Sequence, residues 1–132
     1  GMRTMHLRVQ RSSESAMIIA RELEGHGRIS RVLYPGLESH PGHVIARRQM
    51  QGGFSGMLSV LVDGDAAVAR GVAGRTRVFV PATSLGGVES LIEHRATVEG
   101  PNSPVAPNLL RISVGIENVT DLTADLDQAL NG

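Results

Sequence analysis

Arg111, Ser84 and the histidine pair His40 and His43 are the side chains of this 132-residue sequence whose types and spacing could do chemistry. Arg111 sits in Leu109-Leu110-Arg111-Ile112-Ser113-Val114, an alternating run that reads as a strand with one polar face. A guanidinium fixed on a strand offers a planar fork that can grip a carboxylate with two parallel hydrogen bonds. The same pattern also suits a surface arginine paired with an acid such as Glu117. Ser84-Leu85-Gly86-Gly87 taken alone is a turn. It is no phosphate loop, because no Gly-Lys-Ser/Thr follows and no GxGxxG occurs. Glu38, His40 and His43 have the spacing of metal ligands. However, His40 precedes Pro41 and so stands outside the helix that follows, and no acid is placed to orient the imidazoles. No metal site is expected. Glu93 and His94 close a strand and are read as structural.

Two absences narrow the chemistry further. All thirteen basic residues are arginine and none is lysine. Lysine amines form Schiff bases, whereas a guanidinium with a pKa above ~12 does not. There is also no cysteine, which excludes disulfides, thiolate nucleophiles and zinc–cysteine sites and suits the cytoplasm. Thirteen acids balance the thirteen arginines, and the charges are scattered rather than gathered on a basic face. Only Tyr34, Phe54 and Phe79 are aromatic, so base-stacking platforms are missing as well. Nucleic acid is therefore not the expected partner. No apolar run is long enough to span a membrane, and Met2 to Gln10 lacks the continuous apolar stretch of a secretory signal. Gly1 ahead of Met2 reads as the residue left by removal of a tag.

The elements that must position these residues follow from periodicity. Residues 3–25 read as a long helix, with Met5, Val9, Ala16, Ile19, Ala20 and Leu23 at helical spacing and Gly25 and Gly27 as the stop. Ile29 to Tyr34 is a strand ended by Pro35-Gly36. A short helix runs from Pro41 to about Gln51 and is broken by Gly52-Gly53. Met57 to Val62 is an apolar run of the kind buried on both faces. Asp63 or Asp65 caps a helix over Ala66 to Ala73. Arg77 to Val80 is a short strand stopped by Pro81, Thr83 to Gly87 a loop, and Val88 to Glu93 extended. Pro101, Pro104 and Pro107 stiffen a loop from Glu99 to Asn108. After the strand Leu109 to Ile116, Thr120 or Asn118 caps a last helix striped by Leu122, Leu126, Ala129 and Leu130. With no repeat and no linker, residues 1–132 are expected to form one α+β domain. Its sheet should be small and mainly antiparallel, with helices on one face.

Three separated motifs carry a resemblance: Val32-Leu33-Tyr34-Pro35-Gly36-Leu37-Glu38-Ser39-His40-Pro41, then Ser84-Leu85-Gly86-Gly87-Val88-Glu89-Ser90-Leu91-Ile92-Glu93-His94, then Leu110-Arg111-Ile112-Ser113-Val114-Gly115-Ile116-Glu117. In this order and spacing the sequence resembles the C-terminal domain of the trans-sulfuration enzymes of cysteine and methionine metabolism that depend on pyridoxal phosphate (PLP): cystathionine γ-synthase, cystathionine γ-lyase, methionine γ-lyase and relatives. The likeness runs from about Arg3 to Leu130.

The resemblance implies the C-terminal fold of fold-type I PLP-dependent transferases, a domain that closes over the substrate. It implies that a large domain, absent from this sequence, binds PLP and supplies the Schiff-base lysine, so this chain should hold no PLP and catalyse nothing alone. The full-length enzyme would be a cytoplasmic lyase or transferase acting on sulfur amino acids or O-acyl-homoserine by α,γ- or α,β-elimination or replacement, and a homo-oligomer. Arg111 matches the arginine that grips the substrate α-carboxylate, and Ser84 with the backbone of Leu85 matches the loop lining that carboxylate. Thr83 falls at a specificity position that is glutamate in some γ-lyases. An uncharged threonine there speaks against cystathionine as substrate, and Leu85 in place of tryptophan speaks against some bacterial β-lyases. Many members continue Glu93-His94 with Pro-Ala-Ser-Met-Thr-His, whereas this chain runs Arg95-Ala96-Thr97-Val98-Glu99 and is shorter. The alternative is a stand-alone amino-acid-binding or interaction module derived from that domain.

Overall fold

A computed structural model of the chain describes residues 2–34, 37, 56–81, 89–102 and 104–132, with the side chains of residues 2–6, 8 and 9 left aside. The first helix, α1, spans Met2–Glu24. Ala16, Ile19, Ala20 and Leu23 are buried on one stripe of it, as the 3.6-residue period demands. The helix closes where Gly25 N–H reaches Glu22 O at 3.3 Å and His26 N–H reaches Leu23 O at 3.0 Å.

Among the described residues five strands follow: β1 Ile29–Leu33, β2 Met57–Val62, β3 Val80–Pro81, β4 Leu91–His94 and β5 Leu109–Ser113. They form one sheet in the order β1-β2-β5-β4-β3. The β1–β2, β2–β5 and β5–β4 pairs are antiparallel, and only the two-residue edge β3 runs parallel to its neighbour. Three further helices among the described residues are α2 Ala66–Arg75, α3 Arg95–Glu99 and α4 Val119–Asn131. Asp65 caps α2 by accepting from Val68 N–H at 3.0 Å, and Asn118 caps α4 by accepting from Thr120 N–H at 2.8 Å.

Register explains the core. Leu58 lies opposite Ile112, Val60 opposite Leu110 and Val32, and Ile92 opposite Ile112. Because strand side chains alternate, all of these point to one face. There they meet Ala16, Ile19 and Ala20 of α1, Ala69 and Val72 of α2, and Leu122, Leu126, Ala129 and Leu130 of α4. Tyr34, just past β1, is fully buried with its hydroxyl 3.5 Å from Ser13 O, and burial pushes its phenol up to about 12. The architecture is the expected α+β sheet with helices on one face.

Some local expectations need correction. Met57 to Val62 is not buried on both sides: Leu58, Val60 and Val62 are buried, while Met57 is exposed and Ser59 and Leu61 are half-buried. The run is apolar because β2 is interior to the sheet, but its second face stays open among the described residues. Arg77 to Phe79 does not pair as a strand. Its three consecutive N–H groups turn onto the carboxylate of Asp125, at 2.8, 2.8 and 3.0 Å, leaving only Val80 and Pro81 to join β4. The strand expected to run to Ile116 ends at Ser113. The segment after His94 forms the short α3, where no helix was expected. The turn at Pro35-Gly36, the helix expected from Pro41 and the loop Thr83 to Gly87 lie outside the described residues. Among those residues, no helix is long and apolar enough to cross a membrane.

Candidate functional site

The open face of the sheet is where Arg111 emerges. Leu110 and Ile112 point into the core, so the pleat turns Arg111 to the opposite side. Cross-strand register puts Ser59 of β2 on one side of it and Glu93 of β4 on the other. Half-buried Leu33, Leu61, Leu91 and Leu109 surround this row on the same face.

The charges on this face form a chain. Arg111 Nη1 stands 3.8 Å from Glu93 Oε1, an ion pair beyond hydrogen-bond reach. Arg111 Nη2 meets the Met57 sulfur at 3.4 Å, a weak acceptor. The same Glu93 oxygen accepts from Arg95 Nη1 at 2.9 Å. Arg95 Nε in turn donates to Glu99 Oε2 at 2.7 Å along α3. Hydrogen bonds to Glu99 and then to Glu93 push the Arg95 pKa above its ordinary value, so Arg95 stays charged. Arg111 is about a third exposed, at 34%, and Glu93 only 11%. The fork of Arg111 is therefore anchored on a rigid strand, open to solvent and without a carboxylate in hydrogen-bond range among the described residues. Such a group can hold an incoming carboxylate in a fixed orientation.

The acid that sequence suggested as a structural partner for Arg111 is elsewhere. Glu117 binds Ser90, through Oε1 to the hydroxyl at 2.7 Å and through Oε2 to the backbone N–H at 2.9 Å. Ser90 Oγ accepts from Gly115 N–H at 2.8 Å, and its carbonyl accepts from Val80 N–H at 3.0 Å. Sequence reasoning missed this pairing, although Ser90 and Glu117 fall inside two of the three motifs. His94 turns to the closed side, is buried, and engages Thr97 Oγ1 and the carbonyl of Pro107 with its two ring nitrogens. That is a structural placement, as expected. Ser84, Leu85 and Thr83, together with Glu38, His40 and His43, lie outside the described residues. Among the described ones, no group of three His, Asp or Glu residues could hold a metal ion.

The sequence pattern of the Cys/Met metabolism PLP-dependent enzymes matches residues 1–131. Cystathionine gamma-synthase of Mycobacterium tuberculosis is 51% identical over 135 residues, taking in 98% of this chain and 34% of the relative. Cystathionine beta-lyase of Coxiella burnetii is 44% identical over 138 residues, taking in 98% of this chain and 35% of the relative. The crystal structure of metB from Corynebacterium glutamicum matches with a TM-score of 0.90 and 44% identity, over 97% of this chain and 34% of that one. The chain thus spans about a third of the length of the relatives it matches. The residues present do not fit a covalently held PLP, since the sequence has no lysine for the Schiff base. On this whole-length match in sequence and fold, the chain belongs to the Cys/Met metabolism PLP-dependent enzyme family.

Proposed function

We propose that this chain is the C-terminal, substrate-closing domain of a PLP-dependent lyase or transferase of sulfur amino-acid metabolism, and that Arg111 holds the α-carboxylate of its substrate. The observation that carries the reading is the state of Arg111: strand-anchored, a third exposed, with its nearest carboxylate among the described residues at 3.8 Å rather than in contact. Ser84 and the backbone of Leu85 complete the carboxylate site, and Thr83 bears on substrate choice. The substrate is a sulfur amino acid or an O-acyl-homoserine, processed by α,γ- or α,β-elimination or replacement. The names of the relatives, cystathionine gamma-synthase and cystathionine beta-lyase, support that class. The uncharged Thr83 favours an O-acyl-homoserine over cystathionine. The full enzyme is a cytoplasmic homo-oligomer in which another domain binds PLP.

PLP supplies the electron sink for the chemistry at Cα. What Arg111 contributes is orientation: two hydrogen bonds to one carboxylate fix both the position and the rotation of the amino acid. Arg111→Lys in the full-length enzyme tests this, because lysine keeps the charge and loses the fork. The expected fall in kcat/KM is roughly two to four powers of ten. A change below about threefold means that Arg111 does not hold the substrate.

A further inference from the structure

We propose that Arg95 is a positioning residue that keeps Arg111 available to an incoming carboxylate by holding Glu93 away from it. This rests on the reading of Arg111 given above and goes beyond it. Glu93 and Arg111 are direct cross-strand partners on the open face. Side chains so placed have Cβ atoms only about 4.5–5.5 Å apart, close enough for an arginine and a glutamate to pair. They do not close. Glu93 Oε1 is 2.9 Å from Arg95 Nη1 and 3.8 Å from Arg111 Nη1. One oxygen is thus offered to two guanidinia, and Arg95 takes the hydrogen bond.

Arg95 can do this because it is itself held. It opens α3 directly after β4, and Glu99 one turn on fixes its Nε at 2.7 Å. Among the described residues, the cluster of Arg111, Glu93, Arg95 and Glu99 is then neutral. Without Arg95 it would carry one net negative charge on the face where a carboxylate must land. Glu93 is shielded from solvent, with 11% of its side chain exposed, so its charge is poorly screened there. Freed from Arg95, it would swing onto the fork of Arg111 and compete with substrate.

The test uses the full-length enzyme that carries this segment, with Arg95→Gln, Glu93→Gln and the double variant. Arg95→Gln should raise KM for the amino-acid substrate about five- to tenfold while kcat stays within about twofold. Adding Glu93→Gln should return KM to within about twofold of the parent, because the competitor is gone. A merely structural role would move kcat and thermal stability together and would not be rescued by a second substitution. An unchanged KM in Arg95→Gln, or no rescue by Glu93→Gln, overturns the proposal. If Arg95→Gln does not fold, Arg95→Met with and without Glu93→Gln decides on the same criteria. Arg111→Lys in the same assay separates the two readings. No effect there removes the carboxylate role itself, whereas a collapse there with no effect of Arg95→Gln removes only the role of Arg95.

Discussion

Glu117 holds Ser90 with both of its carboxylate oxygens, one on the hydroxyl at 2.7 Å and one on the backbone N–H at 2.9 Å. Ser90 is fully buried, and its remaining polar groups are taken by Gly115 N–H and Val80 N–H. The residue entering β4 and the turn leaving β5 are thereby locked together across 27 positions of sequence. Arg111 and Glu93 sit on the two strands that this lock joins, so the spacing of the charged row depends on it.

Glu117→Ala should therefore be among the costly substitutions in the chain. It strips acceptors from the N–H and the O–H of Ser90, a fully buried residue. The expected loss is about 2–4 kcal/mol, with Ser90→Ala nearer about 1–2 kcal/mol. The double variant should cost less than the sum, because both changes delete the same bonds. Urea denaturation measures all three. A loss below about 0.5 kcal/mol for Glu117→Ala would mean the contact contributes nothing.

Asp125 makes a pH-dependent contribution. Burial alone would raise its pKa, but hydrogen bonds from Phe79, Arg77 and Val78 N–H and from the Gln128 amide outweigh burial and hold the carboxyl below its ordinary 3.8. A folded-state pKa below the unfolded one gives stability that is complete above the unfolded value and lost as pH falls through the folded one. Asp125→Asn should cost about 2–4 kcal/mol at neutral pH, since its amide turns a donor toward N–H donors. The gap between parent and variant should stay constant down to about pH 4 and shrink below it. A gap that already closes between pH 7 and 5 would rule out Asp125 as its source.

Most of the elements were legible because their signals are local. The stripe Ala16, Ile19, Ala20, Leu23 and the stop at Gly25 mark α1, and Asp65 and Asn118 cap as their side chains allow. The misses have non-local causes. Arg77 to Phe79 has the composition of a strand, but a carboxylate 46 or more residues away captures its N–H groups. The apolar run of β2 does not reveal whether a second layer covers it. Arg111 was legible as a candidate through its strand and motif. Its relation to Glu93 and Arg95 was not, because cross-strand register is set by the whole sheet.

The chain alone should not retain PLP through any side chain, since it has no lysine. Incubation with PLP, dialysis, borohydride reduction and peptide mapping should leave pyridoxyl label on the N-terminal amine or nowhere. A label mapped to an internal peptide would contradict this.

The isolated chain should self-associate through the open face of its sheet. That face carries half-buried Leu33, Leu61, Leu91 and Leu109 and the exposed Met57, all on the side opposite the helices. The strands beneath them are rigid, so the leucines cannot fold away. Apolar side chains on an open sheet face favour association when nothing covers them. Helix α1 offers a rival surface. Leu7 and Ile18 are exposed and lie eleven residues apart, on the same stripe and opposite the buried Ala16. They are only two side chains, however, against the five on the sheet face. Sedimentation at tens of micromolar should show a concentration-dependent dimer. Leu61→Glu should abolish it, and Leu7→Glu should leave it in place. A clean 14.0 kDa monomer sinks the idea. Loss of the dimer in Leu7→Glu but not in Leu61→Glu would move the contact to α1.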